Sequence, residues 1–192
     1  MLLLFNHKRR HYRSKKIEWC GILVRMDNHK ITVIAHDIRS THNVGSLLRT
    51  AEGLGIDHVY FTGYTPYPLH EHDTRLPHIA RKLDAQIHKT ALGAESLITW
   101  SVHTDIIQLL HDLKHEGVTI CALEQSDRSV QLPTYMPKRD VAVLLGREVE
   151  GISTEILTHC DDIVEIPMFG QKESFNVVQA AAMTLFQLRF HG

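Results

Sequence analysis

The sequence predicts an α/β fold in which a mostly parallel sheet carries helices on both faces. Short apolar runs rich in β-branched residues alternate with segments of helical periodicity from residue 31 onward. The strand-like runs are mostly apolar and do not alternate with polar residues, as in sheets that are covered on both faces. A length of 192 residues with 43% hydrophobic and 22% charged side chains suits one globular domain.

The predicted strands are short apolar runs bounded by turn residues. They cover residues 31–37, 58–61, 97–100, 118–123, 141–145 and 163–166. The residues 63–68 hold a glycine and two prolines and are expected to form a loop.

The predicted helices fall between these strands. Asn43 is expected to cap the first helix and Gly55 to follow its end. A short helix is expected at 74–84, and Thr104 is expected to cap a helix that ends at Gly117. Two further helices are expected at 153–160 and from Ser174 to Arg189.

The N-terminal segment is strongly basic, although the net charge of the chain is only −1. Residues 1–30 are expected to form a basic arm and lead-in, followed by one domain at 31–192. The arm either binds phosphates or is a solubilising tail, and the sequence leaves both open. Its basic residues are Lys8, Arg9, Arg10, Arg13, Lys15 and Lys16.

Several classes of protein do not fit this sequence. Cys20, Cys121 and Cys160 form no CxxC pair, which favours buried thiols in a reducing, cytoplasmic setting over a zinc ribbon. No apolar run approaches the roughly 18 residues of a membrane span, so no membrane partner is expected. The acidic and histidine residues at 70–73 lack a second ligand cluster, so no metal is expected. No G-x-S-x-G nucleophile motif is present.

Three loops that follow predicted strands hold distinctive residues, and ligands of such sheets bind at the carboxyl ends of the strands. In the first, Asn43 and Gly45 open a helix that carries Arg49. Free amides at a helix start suit an anion. Taken alone, Arg49 would be a surface residue.

The second motif, GREVEGIS, begins at Gly146 directly after a buried strand. A glycine there lets another group approach the backbone, and Glu148 follows at the sheet edge. The third motif, IPMFGQKESFNVVQAAA, begins at Ile166. It passes from a strand through a glycine loop to Ser174 and Asn176, where simple helix capping by Ser174 is the alternative.

Together, in this order, the motifs resemble the signatures NxxGxxxRTA, GxEgxGis and IPMxGxxxSLNVxxA of the SpoU/TrmH-type family of SPOUT RNA methyltransferases. The resemblance covers about residues 31–190. Arg147 stands where that family often has Asn or Ser, and Phe175 replaces a usual Leu.

The resemblance implies a C-terminal trefoil knot, a homodimer built through the C-terminal helix, and S-adenosylmethionine (AdoMet) as the methyl donor. It implies transfer of the methyl group to a ribose 2′-hydroxyl of tRNA or rRNA. The basic arm and Arg39 are expected to contact the RNA. Two other functions stay open: a catalytically silent RNA-binding homologue, and an enzyme that methylates a base nitrogen.

The resemblance also implies a set of site residues. Arg49 would stabilise the developing alkoxide or, if deprotonated, act as a base. Glu148 would orient Arg49 or the ribose, Ser174 and Asn176 would position the nucleotide, and Asn43 would support the phosphate or Arg49. The residues expected to hold AdoMet are Leu123, Glu124, Gly146, Gly151, Ile166, Met168, Phe175 and Asn176.

Overall fold

The computed structural model describes residues 17–19, 22–24, 29–137 and 139–191. The strands are β1 (Ile17–Trp19), β2 (Ile22–Val24), β3 (Ile31–His36), β4 (His58–Thr62), β5 (Trp100–His103), β6 (Thr119–Leu123), β7 (Val130–Gln131), β8 (Val141–Leu145) and β9 (Asp162–Glu165). The helices are α1 (Thr41–Gly53), α2 (Pro77–Ala91), α3 (Ile106–His115), α4 (Thr154–Leu157) and α5 (Val177–His191).

A seven-stranded sheet has the order β5-β4-β3-β8-β6-β9-β7, and all its neighbouring strands are parallel. One apolar core joins α1, α2 and α5 to one face of the sheet, and a second joins α3 and α4 to the other. Adjacent residues of β3 divide between the two cores, with Val33 in the first and Ile34 in the second. The predicted α/β class is therefore confirmed, while the trefoil knot stays a prediction.

Several predicted boundaries were wrong, and local hydrogen bonding explains three of them. Ser40, not Asn43, caps α1, because its hydroxyl accepts from the Asn43 amide at 3.2 Å. Asp105, not Thr104, caps α3 through the Gln108 amide. The last helix begins at Val177, where the Asn176 side chain accepts from the Val178 amide at 2.9 Å, so Ser174 lies before it.

The region between β4 and β5 differs most from the sequence prediction. The helix predicted at 74–84 is α2, which begins at Pro77. Proline suits the first helical position because the backbone nitrogen there has no hydrogen-bond partner within the helix. It ends at Ala91, and the following Leu92 adopts left-handed backbone angles. A 3₁₀ turn at Ala94–Ser96 then displaces the predicted strand 97–100 to Trp100–His103.

The N-terminal lead-in contains an element that the sequence did not predict. Strands β1 and β2 pair antiparallel as a separate two-stranded sheet. The basic residues predicted to form the arm lie outside the described residues, as does Cys20. Among the described residues, no helix is both long and apolar enough to cross a membrane.

Of the two described cysteines, Cys121 is buried as expected, whereas Cys160 is only partly buried. Burial raises the pKa of Cys121 to about 12 and that of Cys160 to about 11. Neither thiol is in a disulfide. At neutral pH both therefore stay protonated and pack as small apolar groups.

Candidate active site

A cavity of about 260 Å³ lies at the carboxyl edge of the sheet, where the chain leaves β6, β8 and β9. These three strands are neighbours in the sheet although other elements separate them in the sequence. Its lining consists of Leu123, Glu124, Gln125, Leu145, Gly146, Arg147, Glu148, Val149, Glu150, Gly151, Glu165, Ile166, Met168, Glu173, Ser174, Phe175, Val177 and Ala180.

Two glycines let the backbone fold tightly on one side of the cavity. A Cβ on Gly146 would lie 2.7 Å from the Gly151 carbonyl carbon and 2.6 Å from Ile152 Cγ1. Gly151 has a φ of 68°, and a Cβ there would lie 2.2 Å from Glu124 Oε2. Arg147 and Gly151 exchange two backbone hydrogen bonds at 3.2 Å. The turn after β8 therefore needs a residue without a side chain at both positions.

The side chains of Glu124 and Gln125 fasten the three loops to one another through main-chain groups. Glu124, which follows β6, accepts from the Ile152 amide at 2.8 Å and thereby holds the loop after β8. The Gln125 side-chain amide donates to the Glu173 carbonyl at 2.7 Å, which joins the loops after β6 and β9. The cavity walls are therefore held by specific contacts.

The Glu148 carboxylate lies at the N-terminus of α1, the helix that follows β3. Strand β3 is the neighbour of β8, from whose end Glu148 comes. Its carboxylate accepts from the backbone amides of Arg39 and Ser40, each at 3.2 Å, and from the Asn43 side chain at 3.0 Å. Burial raises the pKa of this carboxyl, but the bonds from Arg39, Asn43 and Ser40 outweigh burial and hold the pKa below its ordinary value. The anion expected at this helix start is thus a carboxylate of the protein itself.

Asn43 and Asn176 connect this corner to the last loop. Asn176 Nδ2 donates to Asn43 Oδ1 at 3.4 Å, while Asn176 Oδ1 caps α5 by accepting from the Val178 amide. Ser174 lines the cavity beside Phe175. Four of the five residues predicted to be catalytic, Asn43, Glu148, Ser174 and Asn176, therefore lie in or against one site.

Arg49 is the exception, because it is exposed on α1 and absent from the cavity lining. It follows Asn43 by six residues, which moves it roughly 9 Å along the helix and turns it to another face. The buried face of α1 includes Gly45, where a Cβ would lie 2.2 Å from the Ile87 carbonyl of α2. The motif glycine is therefore a packing residue that lets α1 approach α2 closely.

Seven of the eight residues predicted to hold AdoMet lie together around the cavity. All but Asn176 line the cavity, namely Leu123, Glu124, Gly146, Gly151, Ile166, Met168 and Phe175. The cavity also carries five glutamates against one arginine, an acidic lining that the sequence motifs did not predict. Glu150, Glu165 and Glu173 are distant in the sequence. They line one cavity because the strand order places the ends of β8 and β9 close together.

An ion pair beside the cavity was also missed. The Arg147 guanidinium donates to Asp37 Oδ2 through Nη2 at 2.8 Å and through Nε at 3.1 Å. Burial raises the pKa of Asp37, yet the Arg147 bond and the Tyr64 amide outweigh it, so the pKa is lowered overall. Residues 37 and 147 follow the adjacent strands β3 and β8, a pairing that the sequence does not reveal.

Comparison with known proteins identifies a family for this architecture. The model of the SpoU rRNA Methylase family matches residues 30–186. The chain is 30% identical over 173 residues to the 23S rRNA (guanosine-2′-O-)-methyltransferase RlmB of Neisseria meningitidis, with 88% of the chain and 61% of that protein covered. It is 29% identical over 168 residues to the tRNA (guanosine(18)-2′-O)-methyltransferase of Escherichia coli, covering 88% and 66%. The chain thus spans about three fifths to two thirds of the length of these relatives.

Solved structures show the same fold. An AdoMet-bound rRNA methyltransferase from Sinorhizobium meliloti superimposes with a TM-score of 0.70 at 21% identity, covering 84% of this chain and 56% of that one. The A. aeolicus TrmH/SpoU tRNA modifying enzyme superimposes with a TM-score of 0.68 at 21% identity, covering 84% and 75%. With the family model matched from residue 30 to residue 186, the chain belongs to the SpoU rRNA methylase family.

Proposed function

We propose that this protein uses AdoMet to methylate a ribose 2′-hydroxyl of tRNA or rRNA. The observation that carries the proposal is the cavity at the carboxyl edge of β6, β8 and β9. Five glutamates and one arginine line it. AdoMet carries a sulfonium, an ammonium and one carboxylate group, so its net charge is positive, and it has no phosphate. An acidic lining therefore favours it over a nucleotide cofactor with a pyrophosphate. Leu123, Ile166, Met168 and Val177 supply apolar surface for an adenine ring.

When bound, AdoMet supplies an electrophilic methyl group. The residues of this chain then have to orient the ribose and stabilise charge on its 2′-oxygen. Ser174 and Asn176 lie at the mouth of the site and can hydrogen-bond the nucleotide. Glu148 accepts a hydrogen bond from the Asn43 side chain, and Asn43 accepts one from Asn176, so Glu148 supports Asn176 indirectly. The positive charge of the Arg49 guanidinium would stabilise the alkoxide.

We propose further that two copies of the chain form a homodimer through α5 and that Arg49 acts in the partner's site. Met183 and Phe186 of α5 are 36% and 51% exposed, although other positions of the same helix are fully buried. Arg189 of α5 donates to the Leu54 and Gly55 carbonyls at the end of α1. A second copy that covers α5 would therefore also reach α1, where Arg49 is exposed.

Calorimetry with AdoMet and methyl transfer to unmodified tRNA and rRNA test the main proposal. Nucleoside analysis of the product should give 2′-O-methylated ribose. A methyl group found on a base instead of the ribose would show that the protein is a base methyltransferase. AdoMet binding without methyl transfer to either RNA would favour a catalytically silent homologue. The cytoplasmic location and the RNA-binding arm remain predictions from the sequence.

Mixing two inactive variants tests the shared site. Arg49→Ala should bind AdoMet normally and lose turnover by at least about two orders of magnitude. Co-refolded with Ser174→Ala, it should regain up to about a quarter of wild-type activity, because one site of each mixed dimer then has both residues intact. If Arg49 acted within its own chain, both sites of the mixed dimer would carry one defect and no activity would return.

A further inference from the structure

The aromatic side chain of Tyr64 lies at the carboxyl edge of the sheet, directly after β4. It is 47% exposed, which leaves a large ring open to solvent beside the active-site edge. Arg39 and Arg147 place their guanidinium carbons 5.9 and 5.7 Å from the ring centroid. These distances are at the outer limit of a cation–π contact, so the guanidiniums flank the ring and leave part of it open.

The ring is held in position before any ligand arrives. The Tyr64 amide donates to Asp37 Oδ1 at 3.0 Å, and its hydroxyl accepts from Arg39 Nε at 3.4 Å. The preceding Gly63 has a φ of 64°, and a Cβ there would lie 1.9 Å from the same Asp37 oxygen. The turn therefore depends on glycine, and binding to the ring would lose little conformational entropy.

The charges around Tyr64 select the kind of ligand. Arg147 is already paired with Asp37, and Arg39 with Glu150 at 3.2 Å. Glu148 adds a third carboxylate beside Arg39, so the cluster holds two guanidiniums and three carboxylates. A phosphate would gain little from guanidiniums that are neutralised in this way. The flat face of an uncharged nucleobase fits an exposed ring flanked by arginines.

The position of the ring connects it to the active site. The strand order β4-β3-β8 places the end of β4 two strands, or roughly 10 Å, from the end of β8, where Glu148 lines the cavity. A nucleotide whose ribose enters the cavity would therefore present its neighbour in the RNA strand to Tyr64. Single-stranded or unpaired segments expose such bases for stacking.

From these observations we propose that Tyr64, flanked by Arg39 and Arg147, is a stacking platform for the unpaired nucleobase next to the methylated nucleotide. The inference rests on the proposed function, because it takes RNA as the substrate of the adjacent cavity. It assigns a residue outside the three sequence motifs to recognition of the RNA. The platform would order the RNA strand across the sheet edge without reading a particular base.

Three proteins test the platform: the wild type, Tyr64→Leu, which removes the aromatic face, and Tyr64→Phe, which retains it. The probe is a short single-stranded oligoribonucleotide that contains 2-aminopurine, whose fluorescence is quenched when the base stacks. The wild type and Tyr64→Phe should quench it equally. Tyr64→Leu should lose the quench and bind roughly 5- to 150-fold more weakly, the range for one base stacked on an aromatic side chain.

Salt dependence and AdoMet binding distinguish base stacking on Tyr64 from a phosphate contact and from a damaged cofactor site. Tyr64→Leu should keep the wild-type slope of affinity against salt, because no phosphate contact is removed. It should also keep wild-type AdoMet affinity and sedimentation, and raise KM for RNA more than it lowers kcat. Equal quenching and affinity in Tyr64→Leu would overturn the platform, as would a changed oligomeric state that placed Tyr64 in a subunit interface. Absence of methyl transfer by the wild type would instead count against the proposed function, whatever the fluorescence shows.

Discussion

Replacing Glu148 by glutamine should destabilise the fold at neutral pH by removing the charge at the start of α1. The carboxylate accepts three hydrogen bonds, from the Arg39 and Ser40 amides and the Asn43 side chain. A glutamine oxygen can accept some of these bonds, but its NH₂ group must then face donors. Loss of a capping interaction costs about 1 kcal/mol, and loss of the charge–dipole attraction costs about 0.3–1 kcal/mol.

The expected loss is therefore about 1.3–2 kcal/mol, which for a chain of this size lowers the unfolding temperature by about 3–8 °C. Thermal unfolding followed by circular dichroism at fixed protein concentration measures it. Glu150→Gln is the matched control, because Glu150 is half exposed and forms a surface ion pair with Arg39. Such a surface ion pair is worth at most about 1 kcal/mol.

The pH dependence of this difference has a definite sign. The folded-state pKa of Glu148 is lower than its ordinary value of 4.5, so the carboxylate stabilises the fold fully above 4.5. The stabilisation is lost as the pH falls through the lower folded-state pKa. The gap between wild type and Glu148→Gln should thus be greatest near neutrality and shrink in acid. A gap that stayed constant in acid, or a Glu150→Gln variant equally destabilised at neutral pH, would refute this role of the carboxylate.

Three further changes have expected outcomes. Gly146→Ala should abolish AdoMet binding in calorimetry, since its Cβ would meet backbone at 2.7 Å, whereas Gly170→Ala meets nothing within 4 Å and should bind normally. Gly45→Ala should unfold at a lower temperature because of the Ile87 carbonyl at 2.2 Å, whereas Gly53→Ala in the same helix has open space and should gain up to about 1 kcal/mol. Deletion of residues 1–16 should reduce the slope of log affinity for single-stranded RNA against log salt by about 4, if all six basic residues contact phosphates. Equal AdoMet affinity of Gly146→Ala and Gly170→Ala would contradict the first expectation, and equal unfolding temperatures of Gly45→Ala and Gly53→Ala the second. An unchanged salt slope after the deletion would show that these basic residues do not contact phosphates.

Local patterns predicted those parts of the molecule that depend on local sequence. The buried strands β3, β6 and β8 are apolar runs, and each was predicted to within about two residues. Helix α2 was placed poorly because only three of its fifteen residues, Ala80, Ile87 and Ala91, are buried. A helix that is polar over most of its surface has little apolar periodicity to detect.

Contacts between residues of strands that are distant in the sequence could not be predicted from the sequence. The loops after β6, β8 and β9 could be expected at one edge, because parallel strands end together. Which of them are neighbours depends on the strand order β8-β6-β9, which no local pattern encodes. The pair Asp37–Arg147 and the ring of Tyr64 depend in the same way on the order β4-β3-β8.

The position of Arg49 follows from contacts that hold α1 rigidly. Gly45 allows α1 to approach α2 until no Cβ would fit, Glu148 holds the start of the helix, and Arg189 holds its end. Because both ends and one face are held, rotation of α1 to bring Arg49 toward the cavity would break contacts on all three. If the proposed homodimer forms, we therefore expect the Arg49 guanidinium to act in the cavity of the second copy. The co-refolding of Arg49→Ala with Ser174→Ala is thus a test of this packing as much as of the chemistry.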